Sequence, residues 1–385
     1  MSLKATSIYL DHNATTPLDP RVLEAMLPWL QGIHGNPSSV HRYGRAARAA
    51  LDTARQQVAA LVNAQPAQVI FTSGGTEANN LALKGVCSGT PDGRLLVSAV
   101  EHAAVLEPAE TLATQGWRVR QLPVDGDGRL DMQALDDMLD LDVRLVSVMR
   151  ANNETGVLQD VQAVAGRAHG YGALMHTDAV QAAGRIPVDF VELGVNLMTL
   201  SAHKLNGPRG VGALIVDKRV DLRPQLTGGG QEQGLRGGTE DLAGVIGFGK
   251  AAELAHSELA VRARQLQALR EQMEAGLKCI AGIRIFAAGA ERLPNTVQIG
   301  VEGHAGEMLV MALDRHGIAV SSGSACHSGS GKPSHVLLAM GVDAAMARSA
   351  VRISLGMDNT AENVRALLTA LAAVTAKRAG AVALA

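Results

Sequence analysis

The apolar run LMTLSAHK closes on Lys204, directly after His203 and three residues after Ser201, and glycine-rich LNGPRGVGAL follows it. Only eight lysines stand against 27 arginines in the chain, so an amine at a strand terminus is set apart from ordinary surface charge. A second run, ALMHTD, ends in Asp178, with Gln181 three residues on. Earlier, VIFT leads into SGGTEANN, where Gly74 and Gly75 permit a tight turn. Thr76 is expected at the cap of the next helix, with Glu77 in its first turn. Free N–H groups and a hydroxyl at such a helix start make a cup for phosphate. Taken singly, these features read as two capped helices and a surface lysine. Together, in strand order, they are the three parts that pyridoxal 5'-phosphate chemistry requires. The carboxylate keeps the pyridine nitrogen protonated so that the ring draws electrons, and the amine condenses with the aldehyde. The turn is neither GxGxxG nor a P-loop, so nucleotide-binding classes recede.

These strand ends act together only if the fold brings them to one edge. Candidate strands at 69–72, 94–100, 117–124, 144–150, 173–178, 197–202 and 212–217 alternate with helical patterns. One such pattern, GRAARAALDTARQQVAALV at 44–62, places Ala and Leu at helical spacing. Strand–helix–strand order implies an α/β fold with a mostly parallel central sheet covered by helices. Ligands bind beyond the carboxyl ends of such strands. From Gly238 to about Cys279 the pattern is almost continuously helical. A second α/β stretch spans 283–375, with strands near 295–300, 318–322 and 350–355, and the last ten residues read as a frayed Ala-rich tail. There is no internal repeat and no low-complexity linker. The expected organisation is a large domain at 15–256 and a smaller C-terminal α/β domain at 257–385, joined by the N-terminal segment 1–14.

Composition agrees with an enzyme. At 385 residues, 47% hydrophobic and 19% charged, the chain is too apolar and too evenly charged for disorder. Basic and acidic residues nearly balance, 35 against 37, so no global field draws nucleic acid or an anionic membrane. Aromatics, at 2%, offer bases few stacking platforms. Three cysteines, Cys87, Cys279 and Cys326, are too few and too scattered for a disulfide framework or a metal knuckle, and no metal is expected. The start MSLKATSIYLDHNATT lacks the apolar core of a signal peptide, and no apolar run approaches ~18 residues. A reducing cytoplasm is the expected location.

A series of motifs then runs through the chain: YLDHNATTPLDP at 9–20, GNPSSVHRYGR at 35–45, FTSGGTEANNLALKG at 71–85, EHAAVLEP at 101–108 and ANNETGVLQD at 151–160. It continues with HTDAVQAAGRIPVD at 176–189, SAHKLNGPRGVGAL at 201–214, GGGQEQGLRGGTED at 228–241, SSGSACHSGSGKPSHVL at 321–337 and VRISLG at 351–356. In content and order it resembles the cysteine desulfurases of the NifS/IscS type, within the class V aminotransferases of fold-type I pyridoxal phosphate enzymes.

The resemblance implies roles position by position. Lys204 matches the lysine that holds the cofactor, and Asp178 the partner of its pyridine nitrogen. Gly75, Thr76, Ser201 and His203 fall at phosphate-binding positions. Asn153 and Gln181 match groups bonded to the phenolic oxygen, and His102 the imidazole stacked on the ring, able to shuttle protons. Thr239 matches a threonine that reaches the phosphate of a neighbouring subunit, which implies a homodimer. Arg352 matches the arginine that grips the substrate carboxylate through a planar fork, and Asn36 lies in a loop of the same pocket. L-cysteine is the implied substrate, and a sulfur-acceptor protein such as an iron–sulfur scaffold the implied partner.

Cys326 selects the reaction. It sits among Ser and Gly in SSGSACHSGSG, where a thiolate is available as a nucleophile, whereas Cys87 and Cys279 lie in apolar helical settings and are assigned to packing. The family pattern places the catalytic cysteine at this position. Two features depart from it: His327 follows Cys326 directly, and only 33 residues follow Arg352. Related enzymes of the class, such as a selenocysteine lyase, a cysteine β-lyase or an aminotransferase, are the alternatives. A transaminase needs no thiol. A catalytically silent subunit that keeps only the fold would be expected to lose Lys204, Asp178 or Cys326, and all three are present.

Overall fold

Five-residue runs that are apolar on both faces need cover on each side, and the fold supplies it. The protein, seen here as a computed structural model, is described at residues 7–88, 93–323 and 332–382, the last six for their backbone alone. A short strand β1 (Ile8–Tyr9) precedes helices α1 (Pro20–Gln31) and α2 (Arg42–Leu61). Strand β2 (Val69–Thr72) leads into α3 (Gly75–Cys87), β3 (Arg94–Ser98) into α4 (Ala103–Thr114), and β4 (Arg118–Leu122) into α5 (Met132–Met138). Then come β5 (Val143–Ser147), α6 (Val161–Gly170), β6 (Leu174–Asp178), β7 (Leu197–Ser201) and β8 (Gly212–Val216).

These seven longer strands form one sheet in the order β2-β8-β7-β6-β5-β3-β4. Strand β8 runs antiparallel to both neighbours and every other pairing is parallel. Strand alternation sorts the two faces. Phe71, Leu96, Val146, Met198 and Ile215 pack with α1, α2 and α6. Their neighbours Ile70, Leu95, Leu145, Leu197 and Leu214 pack with α3 and α4. Each such buried aliphatic side chain contributes about 1.5–3 kcal/mol, so a one-residue register slip is strongly opposed.

Helix α7 (Leu242–Leu277) joins two cores. Its first half places Val245, Phe248 and Ala252 under the large sheet, and its second half places Leu266, Met273 and Leu277 in a separate cluster. That cluster covers a four-stranded antiparallel sheet of β9 (Ile283–Ile285), β10 (Thr296–Val301), β12 (Ser321–Ser322) and β13 (Ala350–Ser354), ordered β12-β13-β10-β9. Helix α8 (Gly306–Arg315) precedes β11 (Ile318–Ala319), which pairs in parallel with β1. Helices α9 (His335–Ala339), α10 (Ala344–Arg348) and α11 (Ala361–Val382) complete the described chain. No helix among the described residues is long and apolar enough to cross a membrane.

Four expectations change. Gly74, not Thr76, caps α3: its φ of 155° and ψ of 179° belong to glycine, and Thr76 is the second helical residue. The single strand expected at 318–322 divides, because the chain leaves β1 after Ala319 and joins β13 at Ser321. The Ala-rich tail continues α11 to Val382, in keeping with the high helix propensity of alanine. Cys279 is exposed in the turn after α7, so it has no packing role, whereas Cys87 is buried as expected.

Candidate active site

The carboxyl ends of β6 and β7 and the start of α3 enclose a cavity of about 280 Å³. Gly75 and Thr76 open α3 beside it, and the Gly74 cap supplies no side chain, so the first N–H groups of the helix are left for an anion. A Cβ on Gly75 would approach Val180 Cγ2 at 3.1 Å and Ser201 Cβ at 3.6 Å. Gly212 on β8 is required for the same turn, since a Cβ there would lie 2.6 Å from the Gly74 carbonyl carbon. Ser201 and His203, from the end of β7, line the same region. Burial and the neighbouring cations hold His203 down to about 4, so it is neutral at physiological pH.

Asp178 ends β6 with both oxygens held: Asn79 Nδ2 donates to Oδ2 at 2.7 Å, and the Val180 amide donates to Oδ1 at 2.9 Å. Lys204 projects from the turn after β7, and its Nζ donates to the carbonyls of Asn13 at 2.5 Å and Ala14 at 2.8 Å. Burial, then the charges of Arg352 and Arg185, push its pKa down to about 7. The amine is therefore substantially unprotonated at neutral pH, as a nucleophile must be. Gln181 Nε2 donates to the Asn13 carbonyl at 3.0 Å, and the Asn153 carbonyl receives Asn13 Nδ2 at 3.2 Å.

His102 caps α4 by accepting the Ala104 N–H on Nδ1 at 3.1 Å. In the neutral ring this leaves the proton on Nε2, and burial lowers the pKa. Glu101, just before it, is fully buried and accepts the Met149 N–H at 2.5 Å, while its Oε2 has no partner among the described residues. Burial, with Asp178 adding to it, raises its pKa well above the ordinary range.

The structure thus gathers Gly75, Thr76, His102, Asn153, Asp178, Gln181, Ser201, His203 and Lys204 around one cavity. It does not bring every expected residue there. Asn36 and Thr239 are exposed and line no part of it. The loop bearing Thr239 is tied to α3 through Arg236, whose Nε donates to Glu77 at 2.9 Å. Arg352 is buried on β13, an interior strand of the small sheet, and lies outside the cavity lining. Its guanidinium pairs with Asp11 at 2.6 Å and donates to the Asn153 carbonyl at 3.1 Å, leaving Nε without a partner among the described residues. Cys326 and His327 lie outside the described residues. Beyond them, His335 Nε2 meets the Glu101 carbonyl at 2.9 Å.

Sequence reasoning missed Asn79, Ala14 and Met149, which also line the cavity. Asn79 had a signal: it lies one helical turn beyond Gly75 and Thr76 on α3. The donor set fits pyridoxal phosphate, with an anion cup at one end, a fixed carboxylate at the other, and a depressed amine between carbonyls.

The class-V aminotransferase family model matches residues 8–367. A cysteine desulfurase IscS of Dictyoglomus turgidum is 43% identical over 96% of this chain and 95% of its own length. A solved NifS-like protein superposes with a TM-score of 0.91 at 37% identity, covering 96% of this chain and all of the other. A structure described as SspA in complex with cysteine matches at 31% identity and a TM-score of 0.80, covering 91% of this chain and 99% of that one. With a cavity of this construction and a match that spans nearly the whole sequence, the chain belongs to the aminotransferase class-V family.

Proposed function

We propose that this protein is a pyridoxal phosphate-dependent cysteine desulfurase that converts L-cysteine to L-alanine and carries the sulfur away as a persulfide on Cys326. The observation that carries the reading is Lys204: an amine held near pKa 7 at a strand end, in one cavity with the Asp178 carboxylate and the α3 cup. Similarity to a cysteine desulfurase over nearly the full chain and to a cysteine-bound structure supports the substrate.

Pyridoxal phosphate, when bound, supplies an electron sink that loosens the bonds around the substrate's α and β carbons. Gly75, Thr76, Ser201 and His203 would hold its phosphate, and Asp178 would keep its pyridine nitrogen protonated. Asn153 and Gln181 would bond its ring oxygen. Lys204 would anchor it and, as a free amine, would take the substrate's α proton. His102 would cover the ring and move protons through Nε2. The substrate carboxylate would take the place of Asp11 on the Arg352 fork, one carboxylate for another; Asn36, which the resemblance assigns to the same pocket, lies outside the cavity of the single chain. The Cys326 thiolate attacks the substrate sulfur: the S–S bond forms, the C–S bond breaks, and its electron pair stays with the carbon skeleton that becomes alanine.

The working form is a homodimer in the cytoplasm, with Thr239 serving the neighbouring subunit's phosphate site. The cofactor-holding unit comprises 15–256 and the smaller unit 257–385 with 1–14. A sulfur-acceptor protein such as an iron–sulfur scaffold unloads Cys326. Cys326→Ser tests the assignment: it is expected to retain the bound cofactor and to lose sulfide release from L-cysteine. Mass spectrometry after exposure to L-cysteine without reductant is expected to find one added sulfur on the Cys326 peptide of the wild type. Added sulfur confined to Cys87 or Cys279, or full activity in Cys326→Ser, contradicts it.

A further inference from the structure

Arg185 is a buried cation with no acid bonded to it. It follows Gln181 by four residues, is 6% exposed, and enters no ion pair among the described residues. Its hydrogen bonds go to neutral oxygens. Nη1 donates to the Gln181 backbone carbonyl at 3.2 Å and to the Gln181 amide oxygen Oε1, and Nη2 donates to the His12 carbonyl at 3.0 Å. The titratable groups that face it are His12 on the N-terminal segment, His203 and Lys204 beyond β7, and Arg352 on β13. Asp11 and Asp178 act on Lys204. Burial and Arg352 lower Arg185 to about 9, so it stays charged at neutral pH. Burying a guanidinium without a carboxylate is costly, and it is tolerated only where its bonds achieve something.

What they achieve is an orientation. The two ends of a glutamine amide are nearly the same size and opposite in polarity. With Arg185 on Oε1, the Gln181 amide has one orientation open to it. Nε2 gives one hydrogen to the Asn13 carbonyl at 3.0 Å and keeps the second for the cavity that Gln181 lines. We propose that Arg185 is a positioning residue that locks the Gln181 amide as a donor, so that the anionic ring oxygen of the cofactor meets an N–H and never a second lone pair. With Gln181 at that oxygen, as the site assignment on which this rests has it, the lock tunes the proton affinity of the neighbouring lysine–cofactor linkage.

The readout is the pH midpoint of the visible band of the lysine-bound cofactor in the holoenzyme. A donor to the ring oxygen lowers that oxygen's basicity, and with it the hold of the adjacent nitrogen on its proton. Gln181→Ala is expected to raise the midpoint by about one pH unit, the worth of one hydrogen bond to a charged acceptor. Arg185→Met is expected to raise it as well, and the double variant to shift no further than Gln181→Ala alone. Arg185→Lys, which can still cap Oε1, restores most of the wild-type midpoint. If Arg185→Met does not fold, Arg185→Gln enters the same cycle, and melting of the cofactor-free variants reports on folding separately. Additive shifts, or a lower melting temperature with an unmoved midpoint, overturn the lock and leave Gln181 in place. An unmoved midpoint in Gln181→Ala overturns the placement of Gln181 itself, a distinguishable failure.

Discussion

Around Lys204 the buried ionisable groups are mainly bases, and around Ser334 and His335 they are acids. On the first side His12 is lowered to about 4 and Arg185 to about 9, burial being the main cause in each. On the second, Glu101 and Glu154 are fully buried and raised. Glu154 receives Ser334 Oγ at 2.5 Å and Gln298 Nε2 at 3.2 Å, and Glu101 lends its carbonyl to His335. Burial disfavours charge of either sign, so it lowers the bases and raises the acids. The chemical outcomes differ. A neutral amine at Lys204 is a nucleophile. The Glu154 carboxyl, its pKa raised mainly by burial, bonds Ser334 and Gln298 and so ties the segment after β5 to the small sheet.

The basic side breaks most completely at Lys204. Lys204→Ala is expected to leave no cofactor that borohydride can fix to the chain, and to lower alanine formation by about 10³-fold or more. The depressed pKa sharpens the same point without a mutation. Capture of added pyridoxal phosphate by the cofactor-free wild type should rise with pH through a midpoint near 7, because only the neutral amine reacts. A midpoint near the ordinary lysine value would show that burial does not depress this amine.

Asp178→Asn is expected to cost less, about 10- to 100-fold in turnover, the worth of one hydrogen bond to a charged group. The amide still accepts from Asn79 but cannot hold the pyridine nitrogen protonated. Unchanged exchange of the substrate α proton in this variant would remove Asp178 from that role.

Much of this was legible because it is local. Strand ends at Asp178 and Ser201 follow from short apolar runs, and the α3 cup from two glycines after VIFT. What joins residues far apart was not. Arg352 and Asp11 are 341 positions apart, and Asn13 bonds both Asn153 and Thr296. The motif DHNATT was visible, yet nothing in its residue types says that its backbone carbonyls hold Lys204 and Arg185. Cys279 misled because an apolar neighbourhood in sequence is not burial: two residues past the buried Leu277, its turn faces solvent. The Gly74 cap was misassigned for a related reason, since a threonine suits a cap chemically while only glycine suits the backbone angles found there.

The acid side offers the smallest effect and a definite sign. Glu154→Gln keeps the shape and an acceptor for Ser334 and Gln298, so near pH 5 its stability is expected to stay within about 1 kcal/mol of wild type, whereas Glu154→Ala loses about 1–3 kcal/mol by stranding both donors. With its pKa raised in the folded protein, Glu154 binds more proton folded than unfolded once the pH exceeds the ordinary value of 4.5. Wild-type stability therefore falls through this group as pH rises above that value, until the folded carboxyl itself ionises. Glutamine has no proton to lose, so Glu154→Gln should gain on wild type as the pH is raised from 5 to 8 in paired urea melts. A gap between the two that stays constant with pH would mean that Glu154 is ionised in the fold, and the contrast between the two sides of the site would fail at that residue.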